Sequence, residues 1–76
     1  MPRESLPPYK AIAAALRQQI ESGELLPGEQ IPPVPRLSET FGVSRNTALR
    51  ALRVLKDEGL IKIEPGWGAF VAEHRK

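Results

Sequence analysis

GVSRNTALRALRVLKDEG, running from Gly42 to Gly59, decides the fold of this 76-residue chain. Ser44 carries the short hydroxyl side chain that accepts from the free N–H groups of a first helical turn, so the stretch predicts a helix beginning at Arg45. Gly59 can take the left-handed conformation that closes a helix, and the apolar Leu60 just beyond it suits the contact that goes with such a closure. The expected helix is about four turns long. Ala48, Ala51, Leu52 and Leu55 recur at three- and four-residue spacing and form one apolar stripe. Arg45, Asn46, Leu49, Arg50 and Arg53 take the remaining surface, so three guanidinium groups share the side turned away from the stripe. Between Arg36 and Lys56 there are five basic residues against one acid, Glu39, whereas the rest of the chain has six basic and eight acidic residues. This clustering argues for a polyanionic partner more strongly than the net charge of +2 or the isoelectric point near 9.4.

Length and composition narrow the alternatives. Seventy-six residues make one small domain with a modest core, which leaves no room within the chain for a second, effector-sensing domain. There is no cysteine, so disulfides and thiolate zinc sites are not available, and a reducing cytoplasm, with the nucleoid as the place of work, is the default expectation. The opening MPRESLPPYK has mixed charge and prolines rather than an apolar core, and no apolar run approaches membrane-spanning length. Catalysis is not expected. No carboxylate pair, serine with a partnered histidine, metal-ligand cluster or phosphate-cradling loop can be assembled, and neither metal nor cofactor is called for. Asp57 and Glu58 are adjacent and diverge on a helix, and Gly66-Trp67-Gly68 opens a strand instead of the helix N-terminus a dinucleotide loop needs. His74, beside Arg75 and Lys76, reads as a solvated terminal residue in a basic tail.

Outward from the central stretch, a lead over residues 1–8 is expected to be flexible and residues 9–72 to form the domain, with the basic tail at 73–76. A first helix is expected from Tyr9 to Ser22, with Tyr9, Ile12, Ala13, Leu16 and Ile20 on one stripe and Gly23 at its end. Leu26-Pro27-Gly28-Glu29 is a turn signal, followed by Gln30-Ile31 as a short edge strand. A short second helix is expected to start at Pro33 or Val34, to use Leu37 and Phe41 as its apolar side and to stop at Gly42. After the third helix, Leu60 to Glu64 and Ala69 to Ala72 read as strands joined by the four-residue connection Pro65-Gly66-Trp67-Gly68. Tyr9, Phe41 and Phe70 fall on apolar stripes or in a strand and are expected to be buried. The class is α+β: three helices and a C-terminal β-hairpin wing in the order α-β-α-α-β-β, a winged helix-turn-helix.

The same residues resemble the GntR-type transcriptional regulators. The resemblance runs through Tyr9 with Ile12 and Leu16, Ser22-Gly23-Glu24-Leu25, Pro27-Gly28, Ile31-Pro32, Gly42-Val43-Ser44-Arg45, Thr47, Ala51-Leu52, Leu55, Glu58-Gly59-Leu60 and Gly66-x-Gly68-x-Phe70-Val71, covering nearly the whole chain from Tyr9. It implies a domain that binds double-stranded operator DNA, commonly as a homodimer on a pseudo-palindromic site, with the third helix in the major groove and the wing toward the minor groove. By position it implies DNA contacts for Ser44, Arg45 and Thr47, and a wing tip at Gly66 and Gly68. The chain also departs from the family pattern. Pro33 and Pro35 stand where a serine and a DNA-contacting arginine are usual, and Leu49 stands where arginine is common. Trp67, Ala69 and Glu64 replace polar or basic residues in the wing.

The candidate DNA-binding residues are therefore Ser44, Arg45, Asn46, Thr47, Arg50, Arg36, Gly66, Trp67 and Gly68. Ser44 also serves as a helix cap, and Asn46 and Thr47 suit a first helical turn whether or not they touch DNA. Trp67 has packing on the strands as its alternative role. The rival to DNA reading is a winged helix used as a protein-interaction module, because one fold hosts several functions.

Overall fold

Helix α1 spans Pro8–Ser22, α2 Val34–Phe41 and α3 Arg45–Asp57, and strands β1, Ile61–Glu64, and β2, Gly68–Val71, complete a computed structural model that describes residues 7–73. Residues 1–6 and 74–76, which include most of the expected lead and His74, Arg75 and Lys76 of the tail, lie outside the described residues. The helix reaches one residue further into the expected lead, because Pro8 has a backbone angle suited to a first helical turn and no N–H to leave unpaired.

α1 and α3 pack on each other through the apolar stripes read from the sequence. Ile12, Ala13, Leu16 and Ile20 meet Ala48, Ala51, Leu52 and Leu55, all buried in one core that Ile31, Leu37, Ile61, Ala69 and Val71 complete. Ala48 and Ala51 are fully covered, and their small side chains let the helices approach closely. α2 presses only Leu37 fully into this core. Phe41 lies one turn later, at the last residue of α2 where the chain swings away, and is 37% exposed, so its expected burial is not what the fold delivers.

Phe70 is likewise only half-buried, for a reason of register. β1 and β2 pair antiparallel with Ile61 opposite Val71, Lys62 opposite Phe70, Ile63 opposite Ala69 and Glu64 opposite Gly68. Side chains alternate faces along a strand, so the buried Ala69 and Val71 put Phe70 on the outer face opposite Lys62. Tyr9 is also half-buried, in the first turn of α1, where its ring takes a partner described below.

The expected edge strand at Gln30-Ile31 shrinks to an isolated bridge between Gln30 and Phe70, giving the order α-α-α-β-β with one bridge where a strand was expected. The pairing itself is real: the Val71 amide donates to the Glu29 carbonyl at 2.8 Å and the Ile31 amide to the Ala69 carbonyl at 2.7 Å. Pro32 and Pro33 then follow, and neither has an N–H with which to continue the ladder. The hairpin loop is also tighter than expected. Gly68 already pairs with Glu64, so three residues, Pro65, Gly66 and Trp67, make the connection.

Candidate nucleic-acid interface

The turn between α2 and α3 fixes where the third helix starts. Gly42 adopts φ 67°, the left-handed conformation, and ends α2. Ser38 then grips Val43 from both sides, its carbonyl accepting from the Val43 amide at 3.0 Å and its hydroxyl donating to the Val43 carbonyl. One residue on, the Ser44 hydroxyl oxygen accepts from the Thr47 amide at 3.1 Å, the N-cap that the sequence predicts. The Ser44 hydroxyl proton is used as well, donated to Thr47 Oγ1 at 3.0 Å. Ser44 is thus engaged inside the fold, whereas Thr47 keeps its own hydroxyl proton for an outside acceptor. The amides of Arg45 and Asn46, first in the helix, have no preceding turn to bond and face outward at its positive end. Arg45 and Asn46 are exposed and Thr47 half-buried. An anion placed there meets two amides, a hydroxyl and a guanidinium.

The other arginines lie on separate ground. Arg50 has its guanidinium carbon 4.3 Å from the centroid of the Tyr9 ring, a cation–π contact that leans it toward α1 and away from Arg45. Arg36, in the first turn of α2, borders an open cleft with Gln30, Ile31, Pro32 and Pro33. Pro32 and Pro33 also wall a neighbouring cleft against Leu49, Ile63 and Gly68, so α2, α3 and the wing meet on a shared proline surface.

The wing tip is held by a single side chain from far away. Gln30 Nε2 donates to the Trp67 carbonyl at 3.1 Å, and a Cβ at position 68 would stand 2.8 Å from that same nitrogen. With φ at 118° as well, position 68 admits only glycine without strain. Gly66 and Trp67 are exposed, Trp67 to 76%. The indole lines a groove on the outer face of the wing with Lys62, Glu64 and Phe70, and is not brought to the cluster at the start of α3. Of the candidate residues, Ser44, Arg45, Asn46 and Thr47 therefore form one contiguous group, with Arg36 and Gly68 beside the shared clefts and Arg50 and Trp67 at the margins.

Three features escaped the sequence reading. Ser38 locks the turn, Gln30 holds the wing, and Arg17 makes a two-armed bond to Glu58, with Nε at 3.0 Å from one carboxylate oxygen and Nη2 at 2.8 Å from the other. That pair joins the middle of α1 to the end of α3, and the hydrogen bonds Arg17 donates to Glu58, more than the charge of Glu58, raise the Arg17 pKa above the ordinary value against a smaller lowering by burial. Among the described residues there is no group of three or more side chains able to hold a metal ion, and no helix long and apolar enough to cross a membrane.

A helix-turn-helix with a basic helix start and a hairpin wing defines the class as winged-helix DNA-binding domains. A family model described as bacterial regulatory proteins, gntR family, matches residues 8–71, and the chain belongs to that family. It is 42% identical over 69 residues to the mannosyl-D-glycerate transport/metabolism system repressor MngR of Escherichia coli (strain K12), covering 91% of this chain and 29% of the relative. With the histidine utilization repressor of Klebsiella aerogenes it shares 44% identity over 73 residues, 95% of this chain and 30% of that one. The chain thus spans about 30% of the length of these curated relatives. Among solved structures, the DNA-binding domain of AraR in complex with operator ORX1 superposes with a TM-score of 0.88 at 35% identity, covering 95% of this chain and 87% of that one.

Proposed function

We propose that this chain is the operator-reading part of a transcriptional repressor, holding duplex DNA with α3 in the major groove and the wing at the minor groove. The carrying observation is the start of α3, where the cap formed by Ser44 and Thr47 fixes a helix N-terminus with outward amides beside the exposed Arg45. Phosphate at that terminus sets the register, with the Thr47 hydroxyl and the amides as donors. Arg45 then reaches a base edge, and guanine, with O6 and N7 both accepting, is the match for a two-armed guanidinium. Asn46 flanks the same edge. Arg36 and Arg50 contribute phosphate attraction from either side, and the wing loop of Gly66, Trp67 and Gly68 lets backbone approach the sugar-phosphate chain. The repressor names of the relatives and the operator complex of the AraR domain support this reading. One domain of this size covers one half-site, so two copies on a pseudo-palindrome supply the working affinity, in the cytoplasm at the nucleoid.

The test is fluorescence-anisotropy binding to a random-sequence duplex pool across a salt series, followed by sequencing of the retained DNA. Salt-sensitive binding, an enriched palindromic sequence and relaxed specificity in Arg45→Ala are expected. Absence of binding at low salt would remove the proposal, and an equal loss for every sequence in Arg45→Ala would turn Arg45 from a base reader into a phosphate contact.

A further inference from the structure

The apolar cleft where α2, α3 and the wing meet has a volume of about 140 Å³ and is walled by Pro32, Pro33, Leu49, Leu52, Ile63 and Gly68, with no polar side chain on its lining. Its position is unusual for apolar surface. Leu49 lies four residues after Arg45 on α3, which brings it to the same helix face, about 40° round and about 6 Å further along. Arg53 continues that face another turn on, and Arg36 borders the adjoining cleft across the two prolines. Leu49 therefore opens the cleft on the helix side that carries the base-reading candidate, and it is half-buried there rather than free.

A pocket in that place, if α3 lies in the major groove, faces base edges. The four bases present there hydrogen-bond donors and acceptors, and one apolar group, the C5-methyl of thymine. A leucine with two prolines and an isoleucine around it offers nothing to the polar edges and a van der Waals seat to the methyl. Resting on the operator-reading function argued above, we propose that Leu49 is a specificity-determining residue that selects thymine, its cleft receiving the thymine methyl about one or two base pairs from the position read by Arg45. The spacing follows from the rise of about 1.5 Å per helical residue against about 3.4 Å per base pair. Arg45 then supplies a polar reading and Leu49 an apolar one from successive turns of the same helix face.

Deoxyuridine pairs as thymine does and lacks only the methyl, so it isolates the contact. In the sequence enriched from the random pool, each thymine is replaced singly by deoxyuridine, and binding is measured for the unaltered chain, Leu49→Ala and Leu49→Met. The expected result is one position per half-site where loss of the methyl weakens the unaltered chain about fourfold, the effect of one buried methyl-sized group. Leu49→Ala should be insensitive to that replacement, and Leu49→Met, which keeps apolar bulk, should retain most of the sensitivity. Helical circular dichroism of each variant separates a lost contact from a lost fold. An enriched operator with no methyl-sensitive position, or a sensitivity that persists undiminished in Leu49→Ala, overturns the assignment while leaving operator reading intact. Failure to enrich any sequence overturns both.

Discussion

The start of α3 and the tip of the wing both face the proposed DNA, yet they are held in opposite ways. At the helix start the fixing hydrogen bonds are local: Ser38 to Val43, and Ser44 to Thr47, three to five residues apart. At the wing tip, the three-residue loop has its own Trp67-to-Glu64 backbone bond, and the tie to the rest of the molecule comes from Gln30, 37 residues away. A rigid, locally determined element suits recognition that depends on placing a few atoms within hydrogen-bond reach. A loop tied by one exposed bond suits a contact that tolerates displacement, such as one to sugar and phosphate. The difference divides the proposed interface into a reading end and a clamping end, a division that substitutions at each end can break.

Arg45→Ala should have the largest effect, because a two-armed contact to guanine is worth about 1 to 3 kcal/mol of discrimination. Anisotropy titrations with the enriched operator and with random duplex should show a loss concentrated on the operator. Ser44→Ala comes next and acts on the reading end through the fold. Loss of the cap costs about 1 kcal/mol, while Ser44→Gly costs only a few tenths. For a domain of this size the alanine variant should melt roughly 4 to 8 °C lower in a circular-dichroism scan. If Ser44→Ala left stability unchanged and weakened DNA binding alone, the hydroxyl would belong to the DNA contact and not to the cap.

How much of this was legible beforehand follows the same local-to-distant divide. Ser44, Gly42 and Gly59 announce the third helix because capping is chemistry between neighbours, and the apolar spacing of α1 and α3 announces the core. Pro32 and Pro33 are also local, and their missing N–H groups explain why a strand was reduced to a bridge. What stayed hidden joins residues about forty positions apart: Gln30 to Trp67, Arg17 to Glu58 and Arg50 to Tyr9. No periodicity encodes such pairs. Aromatic burial was misjudged for a related reason, since Phe70 is hydrophobic in composition but sits at the odd register of a strand whose buried positions are Ala69 and Val71. Within the proposed interface, the capped helix start at Ser44 to Thr47 follows from neighbouring residues, whereas the cleft around Leu49 needed α2, α3 and the wing folded together.

The clamping end predicts a smaller and differently distributed effect. Trp67→Ala should weaken binding by roughly 1 kcal/mol, about fivefold, and by the same factor for operator and random duplex, because phosphate and sugar contacts carry no sequence. The salt series supplies the check: a parallel downward shift of all sequences fits the clamp. A change in which sequences the selection enriches would show that the wing reads bases, and the division into two ends would be wrong.

The smallest effect is expected from the Arg17 and Glu58 pair, which touches neither end directly. Its side chains are 33% and 40% exposed, so water screens it, and a two-armed geometry at that exposure is worth about 0.5 kcal/mol rather than the several expected of a buried pair. Glu58→Gln should lower the melting midpoint by about 2 to 4 °C, and added salt should shrink the difference. The pH response has a definite sign. Because Glu58 raises the pKa of Arg17 in the folded chain, the stability tied to that proton is fully present below the ordinary arginine value and is lost only as pH rises through the raised one. Arg17 therefore adds no pH dependence near neutrality. The pair also anchors the far end of α3 to α1, so it bears on the comparison in one respect: Glu58→Gln should leave the ratio of operator to random-duplex affinity unchanged. A fall in that ratio would mean that the reading end is held from the distal end of its helix as well as from its cap.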